Sequence, residues 1–245
     1  MQIKEFKIRA SASALIMGEM GLTDKQTIKL DELYTRHTDA VLGKAKPLTP
    51  PMLIEMNGLM EKRDNATLPQ TCVSYLQQWI KEQIYNEQKQ IKSKYLTKGI
   101  EVEKDAIDYY SDIKDMGFLV PNDVFFTSEH IQGTPDLIVG DTVYDFKSSW
   151  DCFTFPLFET TIDKGYWSQL QCYMHLTNRT KAKLVYTLQN TPEELAFDGF
   201  TDYSEIDSKF RIKEFEFAYD PEYIQAVEDR VKLCRTYITE TISKL

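Results

Sequence analysis

Asp136, Asp145 and Lys147 lie within two short apolar runs, Leu137 to Val139 and Val143 to Phe146, separated by Gly140-Asp141. Glycine followed by aspartate between two such runs is the signal of a two-residue β-hairpin turn. With those two residues at the turn, Asp136 falls opposite Asp145. Strand side chains alternate, so Asp145 and Lys147 share a face and Phe146 takes the other. Two facing carboxylates repel at a cost that grows as water is excluded, and a divalent cation between them removes it. A solvated surface hairpin is the plain alternative. Against it, these acids are embedded in otherwise apolar strands. The hairpin reads as a metal site with an ammonium beside it.

Other elements must bring the remaining chemistry to this hairpin. Thr97–Asp112 reads as a helix with Ile100, Glu103, Ile107 and Tyr110 on one stripe. A carboxylate within an apolar stripe needs a partner, which makes Glu103 a site candidate, whereas Glu101 points elsewhere and reads as solvated. Lys164–Thr177 reads as a crossover helix on which Gln169 and Tyr173, spaced i, i+4, share a face. Strands are expected at Val124–Glu129, Gly133–Val139, Thr142–Ser148, Lys183–Leu188 and Ile212–Ala218. Asp220-Pro221 opens a last helix with Ile224, Val227, Val231, Cys234 and Ile238 as its seam. Upstream, a short helix capped by a serine is expected after Arg9, and an amphipathic helix over Thr71–Gln88. Pro47, Pro50, Pro51 and Pro69 make residues 44–70 read as a mobile loop or short helical excursion. The order predicts an α/β (α+β) fold, a central mixed sheet flanked by helices, as one domain over 1–245. Its parts are an N-terminal helical elaboration (1–95), a core (96–219) and a C-terminal helix (220–245).

The 245 residues are 42% hydrophobic and 27% charged, as in ordinary globular proteins. No apolar run nears the ~20 residues that span a membrane, and the start lacks a signal-peptide core, so a cytoplasmic protein is expected, with no membrane partner. Cys72, Cys152, Cys172 and Cys234 lack zinc-ligand spacing and read as buried hydrophobes. His37, His130 and His175 belong to no motif and read as structural. A net charge of −9 argues against a protein that coats nucleic acid, but not against a nuclease whose carboxylates hold metal. Lys89, Lys92, Lys94 and Lys98, and Arg179, Lys181 and Lys183, are either phosphate contacts or solvated faces. Trp150, Phe153 and Phe155 are either stacking platforms for an unpaired base or core.

Pro135-Asp136 followed by Asp145-Phe146-Lys147 resembles the motif of the PD-(D/E)XK nuclease superfamily. Within it the chain is most similar to the phage lambda exonuclease group of viral recombination exonucleases. Gly99 followed four residues later by Glu103 matches their metal-binding helix. Gln169 and Tyr173 match their Q-x-x-x-Y helix, and Ile8-Arg9-Ala10-Ser11 resembles their N-terminal serine segment. Val102 stands where RecB-type enzymes carry a histidine. Cys234 is alone where iron–sulphur members have a cysteine trio, so no cluster is expected. No arginine clearly matches the one that contacts the terminal phosphate in the lambda type.

The resemblance implies a restriction-endonuclease-like core and a Mg²⁺- or Mn²⁺-dependent deoxyribonuclease using two ions per site. Asp136, Asp145 and the Phe146 carbonyl would hold one ion, and Glu103 would hold the second or bind through water. Lys147 would orient the attacking water or stabilise developing charge, and Gln169 would fix that water or the lysine. Arg9, Ser11, Trp150 and Tyr173 are candidate DNA contacts. Linear duplex DNA with its 5′ ends, a single-strand annealing protein and a ring-shaped homotrimer are the implied partners, in the cytoplasm of a bacterium or phage-infected host. A structure-specific or restriction-type endonuclease remains an alternative, as does an idle nuclease fold serving as a binding subunit.

Overall fold

A computed structural model of the chain describes residues 3–90, 92–196, 199 and 201–245. The chain divides into two compact units, one formed by residues up to 14 together with 79–245, the other by 15–78.

α1 (Ser13–Ile16) begins in the larger unit and ends in the smaller, where α2 (Asp24–Val41) follows with a Thr23 cap that exchanges hydrogen bonds with Gln26 in a capping box. Of the two readings of residues 44–70, the helical one holds: the stretch contains α3 (Pro50–Asp64). Pro50 and Pro51 open this helix rather than break it, because the first-turn N–H groups have no intrahelical partner to lose. Leu30, Leu33, Leu48 and Met56 form this unit's core. Next in the chain comes α4 (Gln70–Tyr85), within two or three residues of its expected bounds.

The larger unit holds β1 (Ile8–Arg9), α5 (Lys94–Lys114), β2 (Phe126–Thr127), β3 (Ile131–Gly133), β4 (Leu137–Val139), β5 (Thr142–Ser148), α6 (Lys164–Thr177), β6 (Lys181–Thr187), β7 (Ile212–Ala218) and α7 (Pro221–Ile242). Its strands form a mixed three-stranded sheet, β1-β3-β2, and a mixed four-stranded sheet, β4-β5-β6-β7. The hairpin register is the expected one. Leu137 pairs with Tyr144, Ile138 with Val143 and Val139 with Thr142, around a turn in which Gly140 takes φ +57°. β5, α6, β7 and the start of α7 match their expected residues.

Four readings need correction. Gly133–Val139 is two strands in two sheets, because Pro135 has no N–H to donate to a ladder and the chain changes sheets there. The Val124–Glu129 strand shortens to two residues. Ile100 is 77% exposed, and the buried face of α5 is instead Lys98, Val102, Ala106, Ile107, Tyr110 and Ser111. Among the cysteines, Cys152 is exposed, while Cys72, Cys172 and Cys234 are buried.

The core explains the orientation of β5. Tyr144 and Phe146 join Ala106, Ile107 and Tyr110 of α5 with Leu137 and Val185, and the Tyr110 ring meets Phe146 edge-on at 5.5 Å. Burying each such side chain contributes roughly 1.5–3 kcal/mol. With Phe146 committed to α5, the pleat turns Asp145 toward α6. The whole α7 seam named above is buried. No helix among the described residues is long and apolar enough to cross a membrane.

Candidate active site

Asp145 lies mid-strand in β5 and is 1% exposed. Its Oδ1 accepts a hydrogen bond from Gln169 Nε2 at 3.0 Å, and its Oδ2 lies 2.6 Å from Lys147 Nζ. Lys147 is therefore on the Asp145 face, two residues along the same strand. Asp136 stands one residue before β4, and its Oδ2 accepts the Phe146 N–H at 2.7 Å. The three residues converge as the alternation of the hairpin requires.

Glu103 feels the charges of the same residues. Burial raises the Glu103 pKa, Lys147 opposes this and Asp145 adds to it. Burial, and after it the Asp145 carboxylate, push Asp136 up to about 8. Burial acts to lower the Lys147 pKa, but Asp145 and Asp136 outweigh it and the net shift is upward. One ammonium faces more buried carboxylate than it can neutralise.

Gln169 sits in the second turn of α6, a helix whose Asp163 cap accepts the Gly165 N–H at 2.7 Å. Its amide also donates to the Tyr173 hydroxyl at 3.0 Å. Tyr173 is 5% exposed. Burial and that hydrogen bond set it behind Gln169. Tyr173 also explains Gly133, where a Cβ would stand 2.9 Å from the tyrosine ring and 3.0 Å from Ala10.

Arg9 and Ser11 are exposed, and Arg9 pairs with Gln132 in the three-stranded sheet. It is Ser13 that reaches α6, with its hydroxyl 2.5 Å from Ser168. Trp150 is half-buried, edge-on to Tyr95 at 5.2 Å, with Lys94 Nζ 4.6 Å over its ring. Phe153 is 92% exposed, whereas Phe155 packs with Leu188 and Tyr203. Neither basic cluster is a simple solvated face. Lys98 is fully buried, and Lys183 pairs with Glu214 and Glu216. Two of the three histidines lie near one carboxylate, His130 at 3.5 Å and His175 at 3.7 Å from Glu228.

Two contributors escaped the sequence reading. The Tyr166 ring lies 5.2 Å from Lys147 Nζ. Its i, i+3 spacing from Gln169 is the signal that could have found it. Asn122 holds the Asp136 turn, its side chain donating to Pro135 O at 2.8 Å and its backbone N–H to Asp136 O at 2.8 Å. Pro121-Asn122-Asp123 carries only a generic turn signal.

A buried Asp145 carboxylate with two further carboxyl groups, Asp136 and Glu103, pushed up chiefly by burial, offers hard oxygen donors that fit a small divalent cation. Asp145 Oδ2 is buried, with the Lys147 ammonium 2.6 Å away. Among the described residues, no three or more His, Cys, Asp or Glu side chains form a preassembled cage; Lys147 and the Phe146 N–H occupy the carboxylates instead.

No protein-family model and no curated protein sequence matches the chain. Similar solved structures include a phage-related exonuclease from Haemophilus somnus 129PT, with a TM-score of 0.73 and 24% identity over 98% of this chain and 97% of that one. The alkaline exonuclease LHK-Exo of Laribacter hongkongensis has a TM-score of 0.58 and 16% identity, over 97% of this chain and 90% of that one. The chain has their fold. LHK-Exo has also been solved in complex with dAMP.

Proposed function

We propose that this protein is a metal-dependent DNA exonuclease of the lambda type, with Pro135-Asp136 and Asp145-Phe146-Lys147 as its PD-(D/E)XK elements. The observation that carries the reading is the setting of Asp145. Lys147 lies on one side of the carboxylate, Gln169 on the other and Asp136 across the hairpin, in a fold shared with exonucleases.

Asp136, Asp145 and the Phe146 carbonyl would hold Mg²⁺ or Mn²⁺, with Glu103 serving a second ion. A strand residue's N–H and C=O project to the same edge. The Phe146 N–H bonded to Asp136 therefore supports a carbonyl on the Asp136 side. When bound, such ions supply an activated water and neutralise charge on the departing oxygen.

The chain's own groups do the rest. Lys147 places a compact positive charge beside Asp145, where a phosphate's developing negative charge would lie. Gln169 orients Asp145 without titrating, so its hold does not change with pH. Tyr173 keeps that amide in place from behind. Glu103 and Asp136, both raised by burial, favour the arrival of positive charge.

The test uses end-labelled linear duplex DNA and a covalently closed circle of the same sequence, each with Mg²⁺ and with chelator. Degradation of the linear duplex alone, abolished by chelator, is expected. Cleavage of the closed circle would assign an endonuclease, and cleavage unaffected by chelator would remove the metal from the mechanism.

A further inference from the structure

Lys98 has no place in the mechanism above, yet it is among the most deeply buried large side chains of the protein, at 0% exposure. Its ammonium donates to three backbone carbonyls: Ser149 at 2.7 Å, Trp150 at 2.9 Å and Gln189 at 2.8 Å. A lysine ammonium has three N–H donors and no acceptor, so each donor is used. Burial pushes Lys98 down to about 8, with Asp151 acting against that shift. The three carbonyls favour the charged form, because a neutral amine would turn its lone pair toward one of them.

The three acceptors come from two places. Ser149 and Trp150 follow directly on β5, the strand of Asp145 and Lys147. Gln189 lies two residues beyond β6, its parallel partner. Both strand ends converge on one ammonium that belongs to α5. Five residues further along that helix is Glu103. A helix rises about 1.5 Å per residue, so the interval from Lys98 to Glu103 is a rigid spacer of about a turn and a half.

We propose that Lys98 is a positioning residue: it pins the ends of β5 and β6 to α5 and so sets where Lys147 and Glu103 stand relative to one another. An apolar side chain of similar volume would fill the same space without the cost of burying a charge. What it could not supply is three directed bonds to loop backbone that no strand ladder satisfies. The Ser149 N–H, which donates to Thr187 O at 3.0 Å, is the last cross-strand bond before the pin takes over. The catalytic consequence rests on the nuclease reading; the pin itself does not.

The test uses the full chain with Lys98→Met, which keeps length and apolar volume but removes the donors, and Lys98→Arg. The guanidinium keeps the charge, but its planar fork does not match three converging carbonyls. Amide hydrogen exchange is expected to quicken by about tenfold or more in residues 149–152 and 188–191 of both variants, with α6 unchanged. Single-turnover cleavage of linear duplex with Mg²⁺ is expected to fall by up to about 10²-fold in Lys98→Met, because a shift of about 1 Å at a catalytic group costs that much. DNA affinity should hold within about threefold, separating placement of catalytic groups from binding. If Lys98→Met fails to fold, Lys98→Arg carries both measurements.

Unchanged exchange in the two loop segments overturns the pin. Faster exchange with wild-type turnover overturns the positioning role, as does a loss confined to DNA affinity. A wild-type protein that cuts no DNA overturns the nuclease reading and its catalytic consequence, while the exchange measurement separately decides the pin.

Discussion

Gln169 donates to Asp145 Oδ1 and, with its other N–H, to the Tyr173 hydroxyl, both at 3.0 Å. The carboxylate at the centre of β5 is thus held by an uncharged amide on its α6 side, while its second oxygen faces Lys147. Gln169→Ala is expected to leave the fold intact and reduce single-turnover cleavage by about 10²-fold, the usual effect of losing one preorganised donor. Gln169→Glu should be worse, since it sets a second carboxylate against a buried one. Equal activity of these variants and wild type would remove Gln169 from the site.

Asp136→Asn separates stability from catalysis. In the folded protein Asp136 keeps its proton up to about pH 8, against an ordinary value of 3.8. Between those values the folded state binds the extra proton, so this group's contribution to stability falls as pH rises through that window. Removing the charge should therefore raise the melting temperature in chelator at pH 8 while abolishing Mg²⁺-dependent cleavage. Each kcal/mol is worth about 2–4 °C in a chain of this size. A lower melting temperature in chelator would show that the buried carboxylate is not electrostatically strained.

Lys147→Ala removes a cation but no metal ligand. Turnover at saturating Mg²⁺ should fall by ~10²–10³, and Lys147→Arg should not restore it, because a planar guanidinium cannot stand 2.6 Å from Asp145 in the same way. Near-wild-type rates for Lys147→Ala would bring the idle-fold alternative forward.

Gly133→Ala tests the packing behind Gln169. The added methyl would meet the Tyr173 ring at 2.9 Å, and overpacking of this kind costs about 1–3 kcal/mol. Loss of stability and of turnover together is expected. The double variant with Tyr173→Ala should recover part of the stability, as coupled neighbours do. Additive losses in the double variant would mean that the two residues do not touch.

The parts legible in advance were those specified by local pattern. The hairpin register followed from a two-residue turn and period-2 alternation, and with it the facing of Asp136, Asp145 and Lys147. α7 carried an unambiguous cap and seam. What stayed hidden depended on partners distant in sequence. Lys98 looks like one of four surface lysines until β5 and β6 deliver three carbonyls to it. Ile100 matched an apolar stripe by spacing, but the buried face of α5 is rotated from that stripe and takes in Lys98 and Ser111 instead. Pro50 and Pro51 read as breakers because a proline marks either the end of one element or the start of another, and only the residues after it decide which.

The parallel pairing of β5 with β6 has a consequence for how the protein is made. Parallel neighbours cannot be joined by a tight turn, and the connection here runs through α6, which carries Gln169. A growing chain that has emerged only as far as residue 180 already contains Asp136, Asp145, Lys147 and Gln169. It lacks both the strand that fixes β5 on that side and the segment after it that offers Lys98 its third carbonyl. Synthesis proceeds from the N-terminus at roughly 5–20 residues per second. For some seconds, then, the nascent protein holds these four side chains without the sheet that aligns them. Topology therefore delays assembly of the site until most of the molecule has left the ribosome.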